Sequence, residues 1–148
     1  MKVLVTGSQG YIGSVMCKLL NEQGVEYVEG CDLVNRGNNP YATTWLFDAA
    51  DPIVADRVSN LGITHIFHFA ASAAIADSVT RPALFYHNNV GTTTKLLDNL
   101  IQRGWKGKFI FSSTSSVYGN HAEPVTEDSG IFPANPYGVS KYMTEVAI

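Results

Sequence analysis

The chain has 148 residues, 45% hydrophobic and 16% charged, enough for one domain that buries about two thirds of its unfolded surface. A net charge of −3 without a cluster of Lys and Arg argues against nucleic acid or an anionic membrane as partner. The longest apolar stretch, Ile66 to Ala76, carries His68 and falls well short of the ~20 residues of a membrane span. The N-terminus turns at Gly7, too early for a signal peptide, so the expected compartment is cytoplasmic. Cys17 and Cys31 form no metal or CxxC spacing and read as reduced core thiols.

In chain order, Val3-Leu-Val5 is a short apolar strand, and Thr6-Gly7-Ser-Gln-Gly10-Tyr-Ile-Gly13 turns it into a helical pattern. Ile12, Met16, Leu19 and Leu20 are expected on one face of that helix, with Gly24 beyond its end. Glu26 to Cys31 reads as a second strand ending in Asp32. The polar loop Asn35-Arg-Gly-Asn-Asn-Pro40 follows, then a third strand, Thr44 to Phe47, ending in Asp48. Asp51 opens a helix through Leu61, and Thr64 to Phe69 is a fourth strand. Ala70 to Ala76 reads as a small-residue loop, and Pro82 to Arg103 as one long helix. A fifth strand, Lys108 to Ser112, runs into the hydroxyl-rich Ser112-Ser-Thr-Ser-Ser116. Gly119 to Asn135 is a long acidic loop before a last helix that Asn135 caps and Pro136 begins. Strands alternating with helices imply right-handed crossovers and an α/β fold with a doubly wound parallel sheet of about five strands. Ligands bind such sheets beyond the carboxyl ends of the strands.

The triplet Gly7-x-x-Gly10-x-x-Gly13 lies at the first such end. Glycines there permit a tight turn and close backbone approach to a pyrophosphate, and the helix start supplies free N–H groups. No Lys follows, which excludes a P-loop. Asp32 lies 19 residues past Gly13, where an acid meets the ribose hydroxyls of a dinucleotide. Its charge would repel a 2′-phosphate and favours NAD over NADP, although Arg36 nearby is able to accommodate that phosphate. Asp48, at the end of strand three, is placed to reach the adenine amino group.

Tyr137 and Lys141 stand four apart on the last helix, so their side chains share a face. An ammonium beside a phenol favours the phenolate; carrying a phenol from about 10 to about 7 takes roughly 4 kcal/mol and makes it a base at neutral pH. The alternative is a Lys141 that is solvated or paired with Glu145. Other chemistries fail. His65 and His68 are three apart on a strand and face opposite ways, and His87 and His121 lack ligand partners, so no metal site is expected. No Gly-x-Ser-x-Gly is present for a hydrolase. Glu123, Glu127 and Asp128 read as a solvated loop rather than paired catalytic acids.

Five ordered segments carry a family resemblance: Val5-Thr-Gly-Ser-Gln-Gly-Tyr-Ile-Gly13, His68-Phe-Ala-Ala71, Asn88-Asn-Val-Gly-Thr92, Phe111-Ser-Ser-Thr-Ser-Ser-Val-Tyr-Gly119 and Asn135-Pro-Tyr-Gly-Val-Ser-Lys141. Over essentially its whole length the chain resembles the extended short-chain dehydrogenase/reductases, or NAD-dependent epimerase/dehydratases, that act on nucleotide sugars, and among them the 4-epimerases of UDP-glucose and UDP-galactose. The resemblance implies a Rossmann-type NAD domain over residues 1–148. In it Thr114 binds the sugar 4-oxygen, Tyr137 is the catalytic base, and Lys141 is its partner, which also holds the nicotinamide ribose. It places Tyr11 and Ile12 at the pyrophosphate turn. Asp32, Leu33, Asn35, Arg36 and Gly37 fall along the adenosine ribose, and Asp48 and Ala49 at the adenine. Phe69, Ala70, Ala71, Ala73 and Asn88 fall along the cofactor after strand four. Hydride would leave C4 and return to its other face through a 4-keto sugar.

The family's 4-epimerases carry a lysine near Ala73. Family dehydratases place Asp-Glu, and decarboxylases Glu, after the catalytic Thr; Ser115 and Ser116 stand here and favour epimerisation. A 4,6-dehydratase or related dehydrogenase, and a non-catalytic NAD-binding module, are the rival readings. Family members continue for about as many residues again, into a smaller domain that grips the nucleotide. They commonly dimerise through the Pro82–Arg103 and Tyr-Lys helices. The resemblance thus implies a homodimer in the full-length form. It also implies that these 148 residues are incomplete, bind NAD weakly, turn over little and tend to associate.

Overall fold

A computed structural model describes residues 1–37 and 39–148; Asn38, within the expected polar loop, lies outside the described residues. The chain forms two compact units, residues 1–70 with 95–112, and residues 71–94 with 113–148. Among the described residues no helix is long and apolar enough to cross a membrane.

The first unit holds the sheet. Strands β1 (Lys2–Thr6), β2 (Tyr27–Asp32), β3 (Thr43–Leu46), β4 (His65–His68) and β5 (Lys108–Phe111) run parallel in the order β3-β2-β1-β4-β5. The central strand is covered on both faces, which is why Val3, Leu4 and Val5 form an unbroken apolar run with no exposure. Leu4, Cys31, Trp45 and Ile66 pack with Val54, Ala55 and Val58 of α2 (Pro52–Leu61) and with Leu96 and Leu100 of α5 (Thr92–Gln102). Val3 and Val5 pack instead with Cys17 and Leu20 of α1 (Tyr11–Glu22). Asp51 caps α2 as its position suggests, its Oδ1 accepting the Ile53 N–H at 2.9 Å.

One expectation about this unit needs correction. The buried face of α1 is Gly13, Cys17 and Leu20, while Ile12 and Leu19 are 55% and 47% exposed and Met16 is half-buried. The cause is Gly13. Lacking a side chain, it brings the first turn of the helix down by its backbone, and the residues four and seven positions on follow it inward.

The second unit is helical: α3 (Ile75–Thr80), α4 (Pro82–Phe85), a π-helical turn Tyr86–Gly91, the first turn of α5, a 3-10 turn Ser115–Val117 and α6 (Pro136–Ala147). Here α3 starts inside the stretch read as a loop. The single helix expected over Pro82–Arg103 is a run of α4, the π turn and α5. Asn135 caps α6 as expected, its Oδ1 accepting the Gly138 N–H at 2.8 Å.

Gly7 has φ +69°, and a β-carbon there would lie 2.8 Å from the Ala70 nitrogen and the Phe69 carbonyl carbon. Gly24 has φ +73° with open space around it. Gly24→Ala is therefore expected to cost about 1 kcal/mol, the conformational penalty alone. Gly7→Ala should cost at least about 2 kcal/mol more, because backbone must move. Urea unfolding of the two variants checks the difference; equal losses would place the strain in φ and not in the contact.

Candidate functional site

In the first unit, the candidate residues gather at the carboxyl edge of the sheet. β1 ends at Thr6, whose Oγ1 is 2.7 Å from His68 Nδ1 and accepts the Ala70 N–H at 3.4 Å. The Phe69 N–H donates to the Thr6 carbonyl at 3.1 Å. Gly7 turns against this pair. Gly10 donates its N–H to the Gly7 carbonyl at 3.0 Å, and a β-carbon on Gly13 would collide with that same oxygen. No side chain caps α1, so the N–H groups of its first turn, at Tyr11, Ile12 and Gly13, point outward with the positive end of the helix dipole. Tyr11 is 86% exposed beside them.

Asp32 lies at the end of β2. Its Oδ2 accepts the Gln9 N–H at 2.9 Å and its Oδ1 the Val34 N–H at 3.4 Å. Gln9, buried within the glycine triplet, donates its Nε2 to Thr44 Oγ1 at 2.9 Å and accepts the Arg36 N–H on Oε1 at 3.1 Å. The glycine turn, the acid and the following loop thus form one hydrogen-bonded piece. In that loop Leu33 and the Arg36 side chain are exposed, and Asn35 Oδ1 accepts the Gly37 N–H at 2.9 Å. Asp48 accepts the Ala50 N–H at 2.8 Å, while Ala49 is buried in the core and turns its methyl to packing. His65 and His68 face opposite ways across β4, as their spacing requires. Cys17 and Cys31 are buried and free; burial pushes the Cys31 thiol up to about 12, with Asp32 and Asp48 adding to the effect.

In the second unit, Thr114 precedes the 3-10 turn and its Oγ1 accepts the Ser116 N–H at 3.1 Å, which leaves the hydroxyl proton as the group it offers. Tyr137 opens α6 and meets Phe85 edge-on, ring centroids 6.5 Å apart. A β-carbon on the next residue, Gly138, would lie 2.6 Å from the Ser116 carbonyl oxygen. That close approach brings the Thr114 turn against the helix of Tyr137 and Lys141. Lys141 is only 4% exposed, which rules out the solvated alternative. Burial pulls its ammonium down from 10.5 to about 8, and the charge of Glu145 works in the opposite direction.

Asn89 organises this unit. It is 1% exposed; its Oδ1 accepts the Ser72 N–H at 2.7 Å, and its Nδ2 donates to Ser72 O at 3.0 Å and to Ser140 Oγ at 2.9 Å. Ser140 in turn donates to the Tyr137 carbonyl at 2.7 Å. The Asn89 carbonyl accepts from the hydroxyls of Thr93 at 2.7 Å and Thr144 at 3.2 Å. Asn88 is half-buried and donates its Nδ2 to Ser72 Oγ at 2.9 Å. Ala71 and Ala73, on either side of Ser72, are exposed. Sequence reasoning missed Gln9, Ser72, Asn89 and Ser140. The available signal was two asparagines inside a long helical pattern, residues that prefer to bond off the helix ladder.

A family model described as the NAD dependent epimerase/dehydratase family matches residues 3–148. The UDP-glucose 4-epimerase of Corynebacterium glutamicum is 35% identical over 151 residues, covering 100% of this chain and 46% of that protein. The crystal structure of UDP-glucose 4-epimerase from Brucella ovis in complex with NAD superposes with a TM-score of 0.90 at 34% identity, over 98% of this chain and 46% of its own. The Thermotoga maritima UDP-glucose 4-epimerase with UDP-glucose gives a TM-score of 0.86 at 36% identity, over 99% of this chain and 49% of its own. The chain spans about half the length of the relatives it matches.

Because Lys141 holds its proton less tightly folded than unfolded, the unfolded chain binds the extra proton between about pH 8 and pH 10.5. The lysine's contribution to stability is therefore expected to rise with pH across that window and to be lost as pH falls through about 8. Urea unfolding of the native chain and of Lys141→Met at pH 7 and pH 10 checks this, the native chain gaining on the variant at the higher pH. A gap that stays constant contradicts the sign.

Proposed function

Since the chain belongs to the NAD dependent epimerase/dehydratase family, we propose that it is the dinucleotide-binding Rossmann part of a nucleotide-sugar 4-epimerase that interconverts UDP-glucose and UDP-galactose. The observation that carries this reading is the second unit's arrangement: a buried Lys141 one turn from Tyr137, on a helix that meets the Thr114 turn through Gly138. Ser115 and Ser116, where a dehydratase needs an acid, favour epimerisation.

The residues of the first unit fit NAD. Gly7, Gly10 and Gly13 leave the space that β-carbons would fill, and the uncapped N–H groups at Tyr11, Ile12 and Gly13 suit a pyrophosphate. Asp32, held in place by Gln9, would accept from the adenosine ribose beside Leu33, Asn35, Arg36 and Gly37. Asp48 and the Ala49 backbone would meet the adenine, and Phe69 and Ala70 would line the rest; Ala71, Ala73 and Asn88, in the second unit, carry the same expectation. When bound, NAD supplies a reversible hydride acceptor for sugar C4. The chain's own groups handle the proton. Thr114 donates to the sugar 4-oxygen. The Tyr137 phenolate takes the 4-hydroxyl proton while C4 gives up its hydride, the two losses together leaving a 4-keto sugar, and it returns the proton after the sugar has turned its other face. Lys141, kept as ammonium, stabilises the phenolate and donates to the nicotinamide ribose. A homodimer of the full-length form through the Pro82–Arg103 run and α6 belongs to the same reading, to which the exposed Met143 and Val146 of α6 lend apolar surface.

Calorimetric titration is expected to show NAD binding more tightly than NADP, with Asp32→Ala narrowing the gap; equal or reversed preference in the unmutated protein would refute the role of Asp32. In a catalytically complete protein, Tyr137→Phe should keep NAD binding and lower turnover of a UDP-hexose at least ~10²-fold. Near-normal turnover would remove Tyr137 as the base.

A further inference from the structure

Glu145 is used by none of these roles, yet it is bonded into them. The Ser113 hydroxyl, one residue before Thr114, donates to Glu145 Oε1, and Glu145 stands one turn beyond Lys141 on α6. Two residues after Thr114, the Ser116 carbonyl lies against Gly138 at the start of the same helix. Thr114 is therefore bracketed. Its segment runs alongside α6 in the opposite sense, Ser113 fixed near the end of the helix and Ser116 near its beginning. Gly138 and Glu145 are seven residues apart, about 10 Å along the axis, with Lys141 between them. One anchor alone would leave the segment free to swing about Gly138; two fix its direction.

The second consequence is electrostatic. Elements packed against α6 carry Asp77 on α3, Arg81 before α4, Tyr86 and His87 in the π turn and Tyr118 after the 3-10 turn; α6 itself carries Tyr137 and Tyr142. Glu145 is the carboxylate whose charge opposes the desolvation of Lys141.

We propose that Glu145 is a positioning residue for proton transfer. Through Ser113 it ties the Thr114 segment to the Tyr137–Lys141 helix, and its charge holds Lys141 in the ammonium form. The inference rests on the assignment of Thr114, Tyr137 and Lys141 as the proton-transfer set.

Two substitutions separate the parts. Glu145→Gln keeps an acceptor for Ser113 but removes the charge, whereas Ser113→Ala removes the bond and keeps the charge. In Glu145→Gln the Lys141 side chain, followed by NMR of the chain labelled with ¹³C-lysine, is expected to titrate about half a pH unit or more below its native midpoint. Amide exchange over residues 113–117 should stay native in that variant. In Ser113→Ala the same amides should exchange about tenfold faster, the loss of one hydrogen bond, with the Lys141 midpoint unchanged. Glu145→Asp should return the midpoint toward the native value. An unmoved Lys141 midpoint in Glu145→Gln, or native exchange in Ser113→Ala, overturns the proposal. Near-normal turnover of a UDP-hexose by Tyr137→Phe in the catalytically complete protein would instead defeat the functional reading, and it leaves both of these measurements interpretable.

Discussion

The arrangement at the carboxyl edge of the sheet depends on one close approach of backbone to backbone. Where β1 ends, Gly7 leaves no room for a β-carbon against the peptide between Phe69 and Ala70, and the carbonyl of Gly7 is roofed by Gly13. Strand pairing sets the distance, since Thr6 lies opposite His68 in the β1–β4 register. Thr6 then closes the gap with its hydroxyl, bonded to the His68 ring and the Ala70 amide. Once the turn is fixed there, Gln9 falls within reach of Asp32, Thr44 and Arg36, and the open end of α1 is held beside the acid. A larger residue at Gly7 would shift all of these groups together.

The two units are built from different materials. The sheet unit buries aliphatic and aromatic side chains on both faces. Among the described residues of the second unit, the buried groups are mostly Ser78, Asn89, Thr93, Ser140, Lys141 and Thr144, with Phe85 and Val117 the apolar members. Apolar packing tolerates exchange of one hydrocarbon for another. A buried hydrogen-bonded cluster does not, because each donor left without its acceptor costs about 1–3 kcal/mol. The helix that carries Tyr137 and Lys141 is accordingly located by directional bonds, which fix its rotation as well as its place.

Much of this was legible in the sequence, for reasons that differ by residue. Asp51, Asn135 and Pro136 announce helix starts because capping is local chemistry, decided within three residues. The glycine triplet and the acid after β2 are legible because their spacing follows from the length of one β-α-β unit. The inward face of α1 was not, since its rotation is set by the backbone contact between Gly13 and Gly7 across the turn, which no periodicity of apolar side chains records. Asn89 was hidden for a similar reason. Its partners Ser72 and Ser140 lie 17 and 51 residues away, and neither has a side chain that advertises burial. Ser113 and Glu145, 32 residues apart, meet only because the Thr114 segment runs back along α6.

The π turn at Tyr86–Gly91 carries a further meaning. A π turn is an α-helix with one residue too many, and removal of a single residue between positions 86 and 91 would restore an ideal helix. A π turn takes up that residue within itself, so the helical segments on either side keep nearly the faces they would have in the ideal helix. What would change is the stretch around Asn89, whose carbonyl receives the hydroxyls of Thr93 and Thr144. The extra residue therefore shapes this one turn and leaves the run on either side in phase. In any set of related chains, a one-residue gap at this point separates those that keep a cradle for the α6 helix from those that have given it up.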